Sequence, residues 1–420
     1  MEMKITENLR MEWVVPLQTV SYFYLDWKPN RHAHLELSGS MQNGWEAVCE
    51  QLYESKIKIC LGTADGEQNI FWGYITVLKT ESEGNFEKVY LEAKSASCML
   101  DKRREKRSFQ NVENTYAKTV KEAIQQSGGQ VICTAGKENK METPLICYGE
   151  TVWEFVMRLA GYLGTCVIPD IITGRPNLWF GMRKGSHISA FSENRFSCDV
   201  KKGEQTEISY QTESRNFYKI GDQTVFLGRN MRICSVEAIF KNGELIFTYR
   251  LKEQDIYERI EHNGFAGLEL MGTVEAVYQD RLKVSLDIDR GISTDGYAYP
   301  YYPETGNSLY AMPEKGARVA LHFCREGGRE GFVLHCMPNG IRQQAYSADK
   351  YVDTVYGNSV HLFEDSIDII QENKCHLSLC NENILFDSSK KLYISAVDKV
   401  NIKARRITVS TPDELNICQG

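Results

Sequence analysis

The stretch GTVEAVYQDRLKVSLDID, residues 272–289, decides the fold, together with YPYYPETGNSLYAMPEKGARVALHF at residues 299–323 and GREGFVLHCMPNG at residues 328–340. Apolar side chains take every second position, which is the spacing that turns one face of a β-strand inward. They are Leu270, Gly272, Val274, Ala276, Leu282, Val284, Leu286, Ile288, Val319, Leu321 and Phe323. Because Pro313 cannot donate to a strand ladder and Gly316 tolerates positive φ, residues 312–316 are predicted to turn the chain. The pattern predicts a small closed barrel of about five strands.

These strings resemble the OB domain of the spike proteins of contractile injection machines. The group comprises VgrG of type VI secretion, the phage late-control D proteins, and the hub-and-spike pairs of contractile phage baseplates. Its pattern is a Gly-Xaa-Val strand, a Pro-aromatic centre, a Pro-Glu-Xaa-Gly turn and a final Gly-aromatic-Val-Leu strand. The counterparts here begin at Gly272, Pro300, Pro313 and Gly331. The resemblance implies an OB-fold over residues 265–339.

Length and composition fit a globular chain of several domains. The 420 residues exceed the usual size of one core, and 42% hydrophobic with 25% charged residues is ordinary for folded proteins. A net charge of −7 argues against nucleic-acid binding, which needs clustered Lys and Arg. The short basic run at residues 102–107 contains an acid, and we interpret it as a solvated strand end or loop rather than a phosphate site.

The N-terminal part is predicted to consist of strands at residues 21–25, 34–37, 57–61, 70–75 and 87–93, with a short helix at residues 44–55. The phrases KIKICLG, IFWGYIT and KVYLEAKSASCMLD resemble the first barrel of the hub-like half of VgrG. The resemblance implies a first hub-like β-barrel over residues 1–108.

Helical periodicity characterises the middle of the chain, at residues 115–127 and 150–163, each ending at glycine. Thr151 and Glu154 have the spacing of a capping box. The phrase CYGETVWEFVMRLAGYLG also resembles the hub family, implying a helical or α+β insertion over residues 109–176. We interpret Glu150, Glu154 and Arg158 as parts of a capped and solvated helix without a catalytic role.

A second hub-like barrel is predicted over residues 177–264. The segments NLWFGM, EISYQTESRNFYKIGDQTVFLG and NMRICSVEAIFKNGELIFTYRLKEQ alternate as antiparallel strands do, with a hairpin turn at residues 241–244. Two like barrels in one chain would form a pseudo-sixfold ring in a trimer, and such a ring matches a sixfold tube.

The C-terminal part, residues 340–420, has the pattern of short alternating strands separated by turns of Asn, Asp, Ser and Gly. Candidate strands recur at residues 366–370, 377–379, 384–386, 392–396 and 400–404. Such strands leave open edges in a single chain, and winding three copies about one axis removes them. The resemblance therefore implies a trimeric β-helix or β-prism needle. Because no strict Val-Xaa-Gly octad is present, we expect the needle to be short and partly irregular.

Candidate catalytic and metal-binding groups are few. Asp287 with Asp289 and Glu364 with Asp365 lie close in sequence, and we expect them to face solvent. His32 and His34 share a strand face, but a structural metal site would need about four ligands. We therefore predict no catalytic, cofactor-binding or metal-binding residues and no cofactor.

An alternative reading makes the OB barrel a ligand-binding or nucleic-acid-binding module without an injection role. Tyr297, Tyr299, Tyr301 and Tyr302 would then stack bases. Acidic residues such as Asp295 and Glu304 flank them, so packing against neighbouring protomers is the preferred interpretation. An adhesin is a third reading, disfavoured because no signal peptide is visible.

Thirteen cysteines are scattered without a Cys-Xaa-Xaa-Cys pair, which predicts small buried hydrophobic thiols in a reducing compartment. No signal peptide or membrane span is visible, so we expect cytoplasmic assembly followed by secretion or injection as part of a particle.

The resulting expectation is a mainly β, non-enzymatic protein with two hub-type barrels, an OB barrel and a needle, assembled as a homotrimer. The resemblance implies as partners an Hcp-like inner tube protein, baseplate components, and a PAAR-like tip protein or effector at the C-terminal end. No nucleic acid is expected among them.

Overall fold

The computed structural model describes residues 2–4, 9–14, 17–42, 55–63, 66–84, 86–189, 191–202, 206–254, 257, 264–291, 296–304, 311–337, 350–354, 356–372 and 374–417. The chain divides into two units, Met1–Asn339 and Gly340–Gly420. Both are built mainly from β-strands, as the sequence predicts.

The N-terminal strands are β1 (Glu2–Lys4), β2 (Leu9–Glu12), β3 (Leu17–Trp27), β4 (His34–Gln42), β5 (Lys56–Thr63), β6 (Gly66–Glu83) and β7 (Phe86–Ser95). Alternation in β7 buries Val89, Leu91 and Ala93, whereas Lys88 and Lys94, which flank them in the strand, are exposed. A 3-10 helix at Ala96–Asp101 ends this part. The helix predicted at residues 44–55 lies, apart from Ser55, outside the described residues.

The middle part contains β8 (Arg104–Phe109), α1 (Tyr116–Gln126), β9 (Val131–Cys133), β10 (Leu145–Thr151), α2 (Val152–Tyr162), β11 (Val167–Pro169) and β12 (Leu178–Phe180). Strands β8 and β10 pair antiparallel, whereas β12 pairs antiparallel with β11 and parallel with β9. The NLWFGM strand, assigned above to the second barrel, therefore lies in the sheet of the middle part. Alternation identified it as a strand but carries no information about its partner.

Both predicted helices are confirmed with their caps. The Thr115 side chain accepts from the Lys118 amide at the start of α1, and Gly128 beyond its end has φ +77°. Thr151 and Glu154 form the predicted capping box of α2. These local signals were readable because they depend only on neighbouring residues.

The strands that follow are β13 (Phe196–Lys202), β14 (Thr206–Ser214), β15 (Gln223–Phe226), β16 (Arg229–Lys241) and β17 (Glu244–Lys252). The β16–β17 hairpin turns at Asn242 and Gly243, with φ 51° and 83°, as their residue types predict.

Twelve described strands from the two predicted barrels form one sheet, in the order β1-β2-β5-β6-β7-β4-β3-β16-β17-β14-β13, with β15 beside β16. The connection is the antiparallel pair β3–β16, in which Leu25 opposes Ala238 and Trp27 opposes Val236. The two parts were predicted from their sequences to be separate barrels. Backbone hydrogen bonds instead continue from one to the other, and closure into two barrels stays a prediction.

The last sheet of the first unit comprises β18 (Glu269–Tyr278), β19 (Arg281–Leu286), β20 (Ala298–Pro300), β21 (Arg318–Phe323) and β22 (Gly331–Met337), in the order β20-β19-β18-β21-β22. The predicted alternation holds until Ala276, where a β-bulge after Val274 shifts the register. Gly316 has φ +89° in the predicted turn. A parallel bridge between Tyr301 and Val333 connects the two edges of the sheet.

Three clusters of buried side chains fill the first unit. One lies against the twelve-stranded sheet, one surrounds α1 and α2, and one lies against the sheet β18–β22. Ile146 of β10 belongs to the third cluster, so the middle part contributes to the core of that last sheet.

The second unit is an antiparallel meander of β23 (Lys350–Asp353), β24 (Asn358–Leu362), β25 (Ser366–Gln371), β26 (Cys375–Cys380) and β27 (Asn383–Ser388). The strands predicted at residues 392–396 and 400–404 have no regular secondary structure. A strand requires a hydrogen-bonded neighbour, and among the described residues no strand lies beside these segments.

The cysteines differ from the expectation in part. Cys60, Cys133 and Cys147 are buried as predicted, but Cys198 and Cys375 are exposed. Within the described ranges, no helix combines the length and apolarity needed to cross a membrane.

Candidate functional site

His32, proposed above to share a strand face with His34, takes part in a different cluster. Its Nδ1 lies 2.8 Å from Ser97 Oγ, and its Nε2 lies 3.4 Å from Asp101 Oδ2. His34 instead lies 3.2 Å from Glu36 Oε1. The two histidines therefore have separate partners. No group of three or more His, Cys, Asp or Glu side chains with metal-binding geometry occurs in the described part of the chain.

Ser97, His32 and Asp101 together contain the residue types of a hydrolytic triad. Sequence reasoning missed the cluster because His32 lies 65 positions before Ser97 in the chain. Its surroundings indicate a structural role. Ser97 is fully buried and its hydroxyl also lies 2.8 Å from Ser95 Oγ, so no substrate can reach it. The Thr151 hydroxyl donates to Asp101 over 2.5 Å.

Hydrogen bonding from His32 lowers the pKa of Asp101, and the Thr151 hydroxyl lowers it further against the opposing effect of burial. The His32 ring also packs on Trp153, with 4.2 Å between ring centroids. The cluster thus fastens the turn before β4, the 3-10 helix and the start of α2 to one another.

Glu150 and Arg158 correct the interpretation of α2 as a solvated helix. Each is only 1% exposed, and the Arg158 guanidinium donates to both carboxylate oxygens of Glu150. It also donates to the Ile146 carbonyl over 2.8 Å. Capping was predicted from local spacing, but burial depends on the sheet that packs against this helix.

The same guanidinium reaches the last sheet of the unit. Both Arg158 Nη1 and the Tyr162 hydroxyl approach the Gly327 carbonyl, at 3.5 and 3.3 Å. Burial by itself would lower the pKa of Arg158, but the hydrogen bonds and charge of Glu150 raise it overall. Arg158 therefore keeps its charge, and the pair joins the middle part to the turn between β21 and β22.

Asp287 and Asp289 were expected to share a solvent-facing strand surface, and this is wrong for Asp289. The two residues lie in a 3-10 turn, where neighbouring positions point in different directions. Asp289 is 5% exposed and accepts hydrogen bonds from the Ser108 amide and hydroxyl at 2.6 and 2.5 Å. Asp287 remains at the surface and pairs with Arg318. Glu364 and Asp365 lie exposed in the turn between β24 and β25.

The four tyrosines do not form a common platform. Tyr299 and Tyr301 are buried in the core of the last sheet, whereas Tyr302 is 55% exposed and contacts Phe332. Tyr297 packs edge-on against Tyr299, with 5.0 Å between centroids. Packing of all four against neighbouring protomers is therefore wrong for Tyr299 and Tyr301, and the base-stacking alternative loses the same two rings. The sequence signal that could have revealed the burial of Tyr299 is the period-two alternation, which places this residue on the inward face of its strand.

The second unit exposes many large apolar side chains among its described residues. Residues directly opposite in an antiparallel sheet lie on the same face. One row on that face consists of Val352, Val360, Ile369, Leu377 and Phe386, and the next consists of Leu362, Ile367, Leu379 and Ile384. We call these two rows the apolar face. The opposite face carries polar groups such as His361, Asp368 and Ser378.

No described residue between Lys350 and Ile417 is buried. On the apolar face, Ile369 is 47% exposed and Phe386 is 61% exposed. A cleft of about 600 Å³ opens over this face. Contiguous exposed apolar surface of this kind indicates an interaction site.

No protein-family model and no curated protein matches the sequence. Among solved structures, the c3393 protein of E. coli covers 77% of this chain, with 98% of its own length aligned, 14% identity and a TM-score of 0.57. It is described as a component of the type VI secretion system similar to the bacteriophage T4 tail proteins gp27 and gp5.

A second similar structure is the Francisella PdpA-VgrG complex. The matched chain covers 88% of this chain, with 83% of its own length aligned, 8% identity and a TM-score of 0.54. At such identities the likeness concerns the fold. The fold of this chain is similar to that of the type VI secretion component and of the VgrG structure, so the resemblance stated from the sequence is confirmed at the level of the fold.

Proposed function

We propose that this chain is the structural hub and spike of a contractile injection system, in which three copies cap the inner tube and are driven through a target envelope. The role is mechanical and non-enzymatic. The first unit forms the hub and an OB collar, and the second unit forms the needle.

The uncovered apolar face of β23–β27 carries the proposal. In a lone sheet, these rows of Ile, Leu, Val and Phe side chains remain in contact with water. Burying such apolar surface contributes a favourable free energy of about 25 cal/mol per Å². Association of three copies about one axis would cover the apolar face and supply neighbours for the open strand edges.

Residues 389–417 support the same arrangement. They are exposed throughout and carry large apolar side chains without a covering layer in the single chain, among them Tyr393, Ile394, Ile402, Val409 and Ile417. Their alternating pattern is that of strands, and in a needle the missing hydrogen-bonded neighbours would come from the other two copies.

Two further features support the hub and collar. The Tyr301–Val333 bridge, together with the hydrogen bond from the Tyr302 amide to the Val333 carbonyl, favours closure of β18–β22 into the proposed OB barrel. The β3–β16 pairing connects the two parts predicted as hub barrels, which supports the side-by-side arrangement that we propose for a pseudo-sixfold ring.

The fold likeness suggests the partners. The matched structures are described as a type VI secretion component and as VgrG in complex with PdpA. For this chain we propose an Hcp-like tube protein and baseplate components at the hub, and a PAAR-like tip or an effector at the C-terminal end.

The test is the solution mass of the purified full chain by light scattering after size exclusion. We expect a mass of three chains. Ile369→Glu places a charge on the apolar face and should reduce the mass toward one chain. Ser359→Glu adds the same charge to the opposite face of the adjacent strand and should leave the trimer intact.

A monomeric wild-type chain would remove the proposal. Equal dissociation by Ile369→Glu and Ser359→Glu would show that the apolar face is not the contact. A trimer that also binds a tube protein in pull-down would extend the result from assembly to function.

A further inference from the structure

A cleft of about 770 Å³ lies in the first unit between β8, α1 and the turn that contains Asp289 and Arg290. We call it the β8 cleft. It lies outside the clusters discussed above, although Asp289 contributes to its wall. Its basic lining residues are Arg104, Lys106, Arg107, Lys118 and Arg290.

The charge balance of the β8 cleft favours a negatively charged occupant. Its acidic lining residues are Glu105, Glu122 and Asp289, so five cations face three carboxylates. The Asp289 carboxylate already accepts from the Ser108 amide and hydroxyl. Arg104 and Lys106 are exposed, although Arg104 donates to the Gly149 carbonyl and the Lys106 ammonium lies 4.9 Å from the Tyr148 ring centroid. Neither contact neutralises the positive charge, so both side chains can attract an anionic ligand.

Strand β8 has an open edge beside this cleft. Among the described strands, β8 pairs only with β10. The Ser108 amide donates to Asp289, and the carbonyl of Ile146, the residue opposite Ser108 in β10, accepts from Arg158. The backbone polar groups of this residue pair therefore point away from the β8–β10 ladder. Because the direction alternates along a strand, the amide and carbonyl of Lys106 also face the open edge.

A second feature of the β8 cleft is a buried acceptor without a donor. Gln110 lines the cleft and is 1% exposed. Its Nε2 donates to Ser108 Oγ at 3.0 Å and to the Val284 carbonyl at 3.3 Å. Its Oε1 has no hydrogen-bond donor among the described residues. Burying an acceptor without a donor is costly, so this part of the cleft wall is imperfectly satisfied.

We propose that the β8 cleft docks an extended acidic segment of a partner protein, which adds as a strand to the open edge at Lys106. The backbone of the segment pairs with that edge, and its carboxylates meet Arg104, Lys106 and Lys118. The open backbone edge and the interspersed Glu105 and Glu122 favour a peptide over a polyphosphate chain. The inference does not depend on trimerisation through the apolar face.

The probe is a fluorescein-labelled heptapeptide of alternating Glu and Thr, titrated into the full chain and followed by fluorescence anisotropy. We expect binding that weakens with added salt. The double variant Arg104→Gln/Lys106→Gln should weaken it by about fivefold or more. Lys121→Gln, which removes an exposed charge of α1 that does not line the cleft, should leave binding unchanged.

Hydrogen–deuterium exchange provides the geometric readout, because strand addition should slow exchange of the Lys106 amide. Binding without slower exchange in residues 104–109 overturns the proposal. The proposal is equally overturned if a second copy of the chain already protects the Lys106 amide in the free protein. Tighter binding of a seven-nucleotide oligothymidylate than of the peptide would assign the cleft to nucleic acid instead.

Discussion

The sheets β18–β22 and β23–β27 have the same number of strands and the same period-two pattern, yet they differ completely in burial. Leu270 and Leu321 oppose each other in the first and are 3% and 0% exposed. Ile369 and Leu377 oppose each other in the second, where Ile369 is 47% exposed. Alternation therefore specifies which side chains share a face, but it does not supply what covers that face.

The first sheet is covered from within its own unit. Its edges meet at the Tyr301–Val333 bridge, Ile146 joins its core, and Arg158 reaches the Gly327 carbonyl from α2. No comparable covering layer is present among the described residues of the second unit. We therefore propose that other copies of the chain cover its apolar face.

The largest effect is expected from breaking the connection between α2 and the first sheet. Arg158→Met leaves the Glu150 carboxylate buried without its cation, and we expect the free energy of unfolding to fall by about 3–5 kcal/mol. Urea unfolding followed by tryptophan fluorescence measures this change. Glu150→Met with Arg158→Met removes both charges and should lose less. A double variant as unstable as the single one would contradict the interpretation.

Matched leucine truncations compare the two sheets directly. Leu321→Ala opens a cavity in a formed core and should cost about 2–5 kcal/mol at any protein concentration. Leu379→Ala on the apolar face should cost a comparable amount in the assembled trimer, but less than about 0.5 kcal/mol in the dissociated chain. The measurement is thermal unfolding over a range of protein concentrations. A concentration-independent cost for Leu379→Ala would contradict the assignment of its cover to other copies.

The smallest effect concerns acid stability of the first sheet. Hydrogen bonding from Arg318 lowers the pKa of Asp287, so this pair stabilises the fold at neutral pH, and the contribution is lost as pH falls through the lowered pKa. Because the pair is about half exposed and screened by solvent, it is worth less than about 1 kcal/mol. Between pH 7 and pH 3, the melting temperature of Asp287→Asn should therefore fall by less than that of the wild type. Equal losses would show that the pair contributes nothing.

Local signals were read correctly from the sequence. The Thr151–Glu154 capping box and the Asn242–Gly243 hairpin depend only on residues a few positions apart, and both occur as predicted. The three strings within residues 272–340 also led to a resemblance that the fold comparison confirms, because turn and strand residues in fixed order constrain the chain path.

The environments of the candidate site residues were predicted less accurately from the sequence. The burial of Glu150, Arg158 and Asp289 was missed. Glu150 and Arg158 are buried because another part of the fold packs against α2, and Asp289 is bound by Ser108, which lies 181 positions away in the chain. Ser97, His32 and Asp101 came together without any sequence signal. In each case the long-range approach of separate elements determines the environment.

By itself the sequence determined the strand periodicity, the two capped helices, the turns and the resemblance to hub-and-spike proteins, because these follow from short-range chemistry. Only the tertiary structure decided that β3 pairs with β16, that Glu150 and Arg158 form a buried pair, and that the apolar face is left uncovered in one chain. Strand pairing and burial depend on which distant surfaces meet, and a pattern along one strand cannot encode its neighbour.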